Sequence, residues 1–306
     1  MSKVDFIERL NNYLLPFEKS EYQEYNTPHP IIFVNGLPRS GTTLLMQYLT
    51  SSFEFGYINN LIARFWLSPL VGLRLSMSSN LSRNESDFSN FFGRTRHVSE
   101  PHEFSYFWKK WLQIEDSKPY DLKLAQNQIN WYELSGVIKN MQAEVQAPFV
   151  FKGLHPCRHL KYFQKYFQNV IVIHIDRNPI EVARSLKKAR IHHFGDPNHW
   201  WSVISSNYAD IKSLDYSEQI PHQIYSLSTD YELNYDGLEA NNLIRINFDD
   251  FLKTPKELMN RIDSRIIDLT GRSYLRNIKF LPNQFKPVTQ NEEDKKLDQN
   301  VQNLFN

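Results

Sequence analysis

Four short and nearly continuous apolar segments constrain the fold of this chain most strongly. They are rich in Ile, Val and Phe and lie at residues 31–34, 149–151, 170–175 and 243–246. Unbroken apolarity, rather than alternation, is typical of strands that helices cover on both faces of a parallel sheet. Each segment is followed by a stretch with helix-forming character, at residues 42–50, 158–167, 179–189 and 255–269. The repeated order of strand and helix predicts an α/β, doubly wound parallel sheet flanked by helices.

The long stretch between the first two of these strands must contain structure of its own. Residues 54–146 are too many for a single connection, and we expect them to form a largely helical insertion. No internal repeat and no low-complexity linker divides the sequence. Residues 1–306 are therefore predicted to form one domain.

The composition argues against several classes of protein. The 35 basic residues are balanced by 34 acidic ones, which argues against a basic surface that binds nucleic acid. A single cysteine, Cys157, excludes an internal disulfide framework. No apolar run approaches the roughly 20 residues that span a bilayer, and residues 1–20 lack the apolar core of a signal peptide. The sequence thus predicts a cytoplasmic protein without a transmembrane segment.

A phosphate cradle is predicted directly after the first strand. Residues 31–45 read as a buried strand that enters a glycine-containing turn and then a helix. Such a turn points backbone N–H groups and the positive end of the helix dipole at one place. Gly36 and Gly41 match the glycines of the pattern G-x-x-x-x-G-K-[ST], but Thr42 stands where that pattern has its lysine. Arg39 places a cation inside the loop instead.

The missing lysine narrows the choice of ligand. Without a lysine on the β- and γ-phosphates, hydrolysis of a nucleoside triphosphate is disfavoured, whereas a nucleotide with one 5′-phosphoryl group can still be held. The candidate binding residues of this loop are Pro38, Arg39, Ser40, Gly41, Thr42, Thr43 and Leu44.

A second anion site is predicted after the third of these strands. Asn178 suits the N-cap of a helix, and Pro179 suits its first position. Arg177 comes at the carboxyl end of the strand, where open α/β sheets bind their ligands. Ser185, two turns into the helix, can bond an anion that lies along the helix flank. An arginine and a hydroxyl together suit a phosphate monoester.

Taken together, the two loops resemble those of the sulfotransferases that use 3′-phosphoadenosine 5′-phosphosulfate. Residues 37–44 look like the 5′-phosphosulfate loop of that family, and Arg177 followed eight residues later by Ser185 looks like its 3′-phosphate motif. Residues 149–156 resemble the family's strand with a lysine and a later His-Pro, and residues 247–255 are similar to its late Tyr-Glu-Asp-Leu…Pro stretch. The resemblance covers most of residues 31–260 in order, and it implies a P-loop-like fold.

Membership of this family implies transfer of a sulfuryl group from 3′-phosphoadenosine 5′-phosphosulfate to a hydroxyl or amine, without a metal. Negative charge grows on the bridging phosphate oxygen during in-line transfer, so fixed cations and N–H donors lower the barrier. Arg39, Lys152 and the backbone N–H groups of residues 40–43 are the candidates for this task. Arg177 and Ser185 would select the 3′-phosphorylated nucleotide over ATP. The acceptor is expected to be a glycan or another small molecule.

The general base is less clearly indicated than the donor site. Some relatives have a glutamate after the first helix, but residues 55–60 contain no carboxylate. Glu103 and His102 stand side by side in an aromatic-rich segment, and we rank them first as the base. His155, three residues after Lys152, resembles a catalytic histidine of the family at a spacing one residue longer.

Other interpretations stay open at this point. A kinase or NTPase of the P-loop class that lacks its usual lysine would need magnesium, and an inactive nucleotide-binding scaffold would need no base. His155, Cys157 and His159 have a spacing seen in zinc sites, although Pro156 and a missing fourth ligand argue against one. The aromatic residues of 91–132 form either an acceptor-facing wall or the core of the insertion. The segment that contains His192, His193 and His199 is predicted to be a loop.

Overall fold

The computed structural model describes residues 3–79, 86–116, 118, 120–276, 278–287 and 293–305. The strands are β1 (Ile31–Asn35), β2 (Gly56–Tyr57), β3 (Phe149–Lys152), β4 (Val170–Asp176) and β5 (Leu243–Asn247). The helices are α1 (Lys3–Ser20), α2 (Thr42–Ser52), α3 (Pro69–Ser78), α4 (Ser105–Trp111), α5 (Leu122–Gln128), α6 (Trp131–Val145), α7 (Leu160–Tyr166), α8 (Pro179–Phe194), α9 (Tyr208–Ile211), α10 (Tyr216–Tyr235), α11 (Phe248–Lys253), α12 (Pro255–Thr270) and α13 (Lys295–Phe305).

The strands of the described residues form one parallel sheet in the order β2-β3-β1-β4-β5. The predicted α/β class and parallel sheet are confirmed. Strands β1 and β3 are buried along their whole length, as expected for strands covered on both faces. Strand β2 was not identified from the sequence, because two residues are too few to give a periodic signal.

The sheet separates two apolar cores. Ile31 and Phe33 of β1 face one core, which also contains residues of α6, α7 and α10. Ile32 and Val34 face the other core, which contains residues of α2 and α12. This alternation follows from the two-residue period of a strand. Because both faces of β1 are covered by apolar side chains, polar side chains can gather only where the strand ends, at the carboxyl edge of the sheet.

The strand register brings the ends of three strands together at that edge. Val34 of β1 lies opposite Lys152 of β3, and Asn35 lies opposite His174 of β4. The chain passes from β1 to β3 on one side and later to β4 on the other side, so the strand order reverses beside β1. A crevice opens at such a reversal, outside the carboxyl ends of the strands. The loops that begin α2 and α8 both start at this edge, after β1 and β4.

Residues 54–146, between α2 and β3, hold β2 and α3 to α6. Within this stretch, the described residues 86–104 carry no α-helix or multi-residue strand and instead form turns. Helix α1 is connected to α3 by Glu18. Its carboxylate accepts hydrogen bonds from the backbone N–H groups of Leu70 and Val71 at the start of α3. None of the helices in the described part of the chain has both the length and the apolar composition needed to cross a bilayer.

Candidate functional site

The loop between β1 and α2 joins a buried strand to the start of a helix through a turn with two glycines, as the sequence predicts. Gly41 is the N-cap of α2 and has φ 104°, in the left-handed region. A Cβ atom at this glycine would also lie 2.4 Å from the ring of Phe248. Both the positive φ and the contact with Phe248 therefore require glycine at this position. The hydroxyl of Ser40 is buried and has no hydrogen-bond partner among the described residues. An unpaired buried hydroxyl beside a helix N-terminus suits a bound anion.

The loops that begin α2 and α8 meet in one place. Nε of Arg39 donates a hydrogen bond of 3.2 Å to Oγ of Ser185, 146 residues away. Nη1 of Arg177 donates a bond of 3.0 Å to the carbonyl oxygen of Arg39, and its Nε pairs with Glu181 at 2.9 Å. Three predicted donor-site residues of two distant segments therefore share one network.

This network carries an excess of positive charge. Burial, with a smaller effect of the nearby charge of Arg177, lowers the pKa of Arg39 to about 10, so Arg39 stays cationic at neutral pH. Glu181, the partner of Arg177, is 45% exposed, so its charge is partly screened by solvent. Two neighbouring guanidinium groups with one half-exposed carboxylate make a site that favours an anion.

Asn178 and Pro179 start α8 as the sequence predicts. The side chain of Asn178 accepts a hydrogen bond from the backbone N–H of Ile180, and Pro179 occupies the first turn. The helix is longer than predicted, since it extends to Phe194 and ends at Gly195 with φ 73°. His192 and His193 therefore lie on a helix, and the prediction of a loop was wrong for them.

The ring of Phe248, at the start of α11, was not identified as a site residue. Its centroid lies 4.4 Å from Cζ of Arg177, which is a cation–π contact, and its edge covers Gly41. The sequence signal was the resemblance of residues 247–255 to a late stretch of the family. Phe248 holds Arg177 against the loop that begins α2.

Lys152, at the end of β3, connects this network to the segment before α4. Its side chain is 2% exposed, and Nζ donates to Oγ1 of Thr43 at 2.7 Å and to Oε1 of Glu103 at 3.1 Å. The Glu103 side chain is 40% exposed, although protein atoms surround its carboxylate. Burial favours its neutral form, but Lys152 outweighs burial and holds the pKa of Glu103 below its ordinary value. Glu103 is therefore a carboxylate at neutral pH and can accept a proton.

The two candidate histidines differ from Glu103 in their bonding. Nδ1 of His102 accepts a hydrogen bond of 2.8 Å from the backbone N–H of Phe104, so in the neutral ring Nε2 carries the proton. The Nδ1 lone pair, with which a histidine base would accept a proton, therefore already accepts a hydrogen bond. Nδ1 of His155 is buried without a partner among the described residues, and burial lowers the pKa of His155 to about 4.

A tight turn, residues 91–94, closes over the loop that begins α2. Gly93 accepts a hydrogen bond of 3.4 Å from Oγ1 of Thr43, and the ring of Phe92 lies 5.3 Å from Cζ of Arg39. The aromatic content of this region was evident from the sequence, but these residues were not predicted to belong to the site. The glycine after two phenylalanines was the available signal for a turn.

The remaining predicted residues take the following places. Pro38, Thr42 and Thr43 are buried in the loop that begins α2, and Leu44 is half-buried. Within the described part of the chain, no three His, Cys, Asp or Glu side chains converge to hold a metal ion. His159 instead makes a hydrogen bond of 3.0 Å with the hydroxyl of Tyr120.

Comparisons with known proteins agree with this architecture. A family model described as "Sulfotransferase family" matches residues 30–266, and the chain therefore belongs to the sulfotransferase family. It is an enzyme of the class that transfers sulfuryl groups. No curated protein sequence matches the chain at a significant level.

Solved structures of low sequence identity are similar to it. A sulfotransferase called STF9 from Mycobacterium avium is 13% identical, with a TM-score of 0.52, and the match covers 95% of this chain and 71% of that one. The sulfotransferase STF1 from Mycobacterium tuberculosis gives 12% identity and a TM-score of 0.48 over 97% and 75% of the two chains. A sulfotransferase domain of the Synechococcus olefin synthase gives 14% identity and 0.44 over 92% and 97%. At 13% identity, the similarity to STF9 shows a shared fold and nothing more.

Proposed function

We propose that this protein transfers the sulfuryl group of 3′-phosphoadenosine 5′-phosphosulfate to the hydroxyl, or amine, of a glycan or other small molecule. The observation that carries the proposal is the direct contact of the two predicted anion loops. Arg39 bonds Ser185, and Arg177 bonds the backbone of Arg39, so one ligand with two anionic ends can engage both. ATP lacks a 3′-phosphate and would leave one end of this site empty.

In the proposed complex the 5′-phosphosulfate lies on the loop that begins α2. The backbone N–H groups of residues 40–43 and the hydroxyl of Ser40 would bind its oxygens, together with the side chains of Arg39 and Lys152. The 3′-phosphate would lie between Arg177 and Ser185. The ring of Phe248, which holds Arg177 and covers Gly41, would form the wall between the two phosphate sites.

The transfer breaks the bond between sulfur and the bridging phosphate oxygen and forms a bond between sulfur and the acceptor oxygen. The electron pair of the broken bond goes to the phosphate, where Lys152 and Arg39 stabilise the charge. The proton of the acceptor passes to Glu103, which becomes a neutral carboxylic acid. Adenosine 3′,5′-bisphosphate then leaves the site.

Glu103 suits the role of base better than the two histidines. Its carboxylate is ionised and its side chain is 40% exposed, whereas the Nδ1 lone pair of His102 already accepts a hydrogen bond from the backbone N–H of Phe104. The anionic donor would also form an ion pair with Lys152, and this would weaken the ion pair that Lys152 makes with Glu103 in the free protein. Because Lys152 lowers the pKa of Glu103, this exchange would raise that pKa and make Glu103 a stronger base in the donor complex.

Titration calorimetry with adenosine 3′,5′-bisphosphate and with ADP, each with and without magnesium, tests the proposal. We expect the bisphosphate to bind without magnesium and ADP to bind at least tenfold more weakly, because ADP lacks the phosphate for Arg177. Binding of ADP alone, dependent on magnesium, would instead favour a kinase or NTPase. Tight bisphosphate binding without any transfer of labelled sulfate across an acceptor panel would favour an inactive scaffold.

A further inference from the structure

A chain of hydrogen bonds runs between the ends of β1 and β4, where the two anion loops begin. Nδ2 of Asn35 donates a bond of 2.6 Å to the hydroxyl of Tyr235, the last residue of α10. The same hydroxyl lies 2.7 Å from Nδ1 of His174 on β4. Nε2 of His174 lies 3.2 Å from Oδ1 of Asp176. We refer to Asn35, Tyr235, His174 and Asp176 as the root network.

The two ends of the root network are the residues that precede the two anion loops. Asn35 is the last residue of β1, and Gly36 of the loop that begins α2 follows it. Asp176 is the last residue of β4, and Arg177 follows it directly. Asn35 also lies opposite His174 in the strand register. The root network therefore joins the starting points of both loops through side chains of β1, β4 and α10.

The root network is buried except at Asp176. Asn35 is fully buried, and Tyr235 and His174 are only 5% and 6% exposed. A buried polar group that loses its partner costs free energy, so burial holds these three side chains to one another. The Asp176 side chain is 50% exposed and lies 3.7 Å from Nη1 of Arg245. Cζ of Arg245 lies 5.6 Å from the centroid of the Tyr235 ring, so Arg245 covers the network where it reaches solvent.

The hydrogen bonds of the root network run in one direction. Burial favours the neutral form of Asp176, but the bond from His174 and the charge of Arg245 hold the pKa of Asp176 below its ordinary value. Asp176 is therefore a carboxylate that can only accept, so in the neutral His174 ring Nε2 carries the proton and Nδ1 has the lone pair. That lone pair accepts from the hydroxyl of Tyr235, whose oxygen accepts from Asn35. A buried network with one bonding arrangement holds its members in one relative position.

A fixed separation of the two loops matters for a ligand with two phosphates on one ribose. Such a ligand binds best when both loops have the correct separation before it arrives. The contacts among Arg39, Arg177 and Ser185 cannot maintain this separation, because the phosphates would engage the same side chains. The root network uses none of these three side chains. It would therefore stay intact in the nucleotide complex.

We propose that Tyr235 and His174 are positioning residues of the donor site, which hold the two anion loops at the separation that the two phosphates of one nucleotide require. The inference rests on the proposed function, since it concerns the same donor. Neither residue would touch the nucleotide, and both would act through the backbone at residues 35 and 176. The part of the affinity that they supply is the gain from binding both phosphates at once.

A pair of tyrosine variants on one helix tests the proposal. Tyr235→Phe keeps the ring and removes the hydroxyl that joins Asn35 to His174. Tyr231→Phe is the matched control, because Tyr231 is also buried on α10 and its hydroxyl donates a bond of 3.0 Å to the carbonyl oxygen of Leu154, outside the root network. Both variants and the unmodified protein are titrated by calorimetry with adenosine 3′,5′-bisphosphate, adenosine 5′-monophosphate and adenosine 3′-monophosphate.

The proposal predicts a selective loss in one variant. Tyr235→Phe should bind the bisphosphate roughly three- to tenfold more weakly, and each monophosphate within about twofold of the unmodified protein, because each loop alone still binds its phosphate. Tyr231→Phe should bind all three nucleotides within about twofold, although it also loses a buried hydrogen bond. Equal weakening of all three nucleotides in Tyr235→Phe, an unchanged bisphosphate affinity, or an equal loss in Tyr231→Phe would overturn the proposal.

Two further measurements decide the matter if Tyr235→Phe does not fold. His174→Asn keeps an acceptor for the Tyr235 hydroxyl but is too short to reach Asp176, so it should give the same selective loss of bisphosphate affinity. Long-range ¹H–¹⁵N NMR of the unmodified protein at neutral pH should show the His174 proton on Nε2. A proton on Nδ1, with or without one on Nε2, would contradict the bonding order and overturn the proposal.

The unmodified protein separates this proposal from the proposed function. If it does not bind the bisphosphate, the donor assignment fails and the role of the root network fails with it. If it binds the bisphosphate and Tyr235→Phe shows no selective loss, only the role of the root network fails.

Discussion

The two sides of the site are built in different ways. On the donor side, residues 37–44 and 177–185 are the loops and first turns at the starts of α2 and α8, and both helices follow buried strands. On the acceptor side, residues 86–104 hold their shape through distant partners, and Phe88, Phe92 and Phe104 all have positive φ. Local sequence therefore determines the donor side, whereas tertiary contacts determine the acceptor side. The charges differ in the same way. The donor side carries the cations Arg39 and Arg177, and the acceptor side carries the carboxylate of Glu103.

The largest expected effect is on the acceptor side. Glu103→Gln keeps the shape of the side chain but removes the proton acceptor, so we expect kcat for sulfate transfer to fall roughly 10²- to 10⁴-fold. Binding of adenosine 3′,5′-bisphosphate should stay within about threefold, since in the proposed complex Glu103 would reach the nucleotide only through Lys152. Labelled sulfate transfer and calorimetry give the two values.

Histidine variants provide the control for this experiment. His102→Gln and His155→Gln should each retain more activity than Glu103→Gln. If His155→Gln were the inactive protein and Glu103→Gln the active one, Glu103 would be removed from its proposed role.

A donor-side variant should lose nucleotide binding and spare the acceptor side. Arg177→Ala removes charged hydrogen bonds, so bisphosphate affinity should fall by about 1.5–3 kcal/mol, measured by calorimetry. Arg184→Ala is a matched control on the same helix, because Arg184 pairs with Asp298 of α13. Its affinity should stay within about twofold of the unmodified protein. Equal losses in the two variants would show that Arg177 acts only through the stability of α8.

The glycines of the donor side should be distinguishable from those at ordinary helix ends. Gly271→Ala, at φ 69° with open space around it, should cost about 1–2 kcal/mol of unfolding free energy. Gly41→Ala adds a clash with Phe248 and should cost about 1–3 kcal/mol more. Urea unfolding of both variants measures the difference. Equal costs would mean that Phe248 moves away freely and is not a fixed wall.

The pH profile should show no change where an ordinary histidine would titrate. The pKa of Glu103 is held below its ordinary value, so Glu103 is already deprotonated in the free enzyme above about pH 5. We therefore expect kcat/KM for the donor, which reports the enzyme without bound donor, to stay level on the acid side between pH 8 and pH 6. A base with a pKa near 6.5 would instead give a loss of about tenfold per pH unit below that value. Such a loss would contradict the assignment of Glu103.

The sequence predicted much of the donor side for a physical reason. Continuous apolar residues and the cap residues Asn178 and Pro179 fix strand ends and helix starts locally. The side chains at those ends then meet because parallel strands share one carboxyl edge. Arg39 and Ser185 could thus be assigned to one site from 146 residues apart.

The acceptor side was less accessible to sequence analysis. The bond between Lys152 and Glu103 joins segments without a periodic pattern, and the strained φ of Phe92 contradicts the preference of its residue type. Strand β2 is too short to leave a signal, and the end of α8 depended on Gly195. Residues 91–94 contact Thr43 and Arg39, and the chain just after them is anchored by Glu100, which also bonds Gln47.

A crystal structure with adenosine 3′,5′-bisphosphate tests the central claim most directly, namely that both anion loops bind one nucleotide. We predict the 5′-phosphate on the backbone N–H groups of residues 40–43 and the 3′-phosphate within hydrogen-bond distance of Arg177 and Ser185. A bisphosphate that contacts only one of the two loops, or binds away from the carboxyl edge of β1 and β4, would contradict the claim.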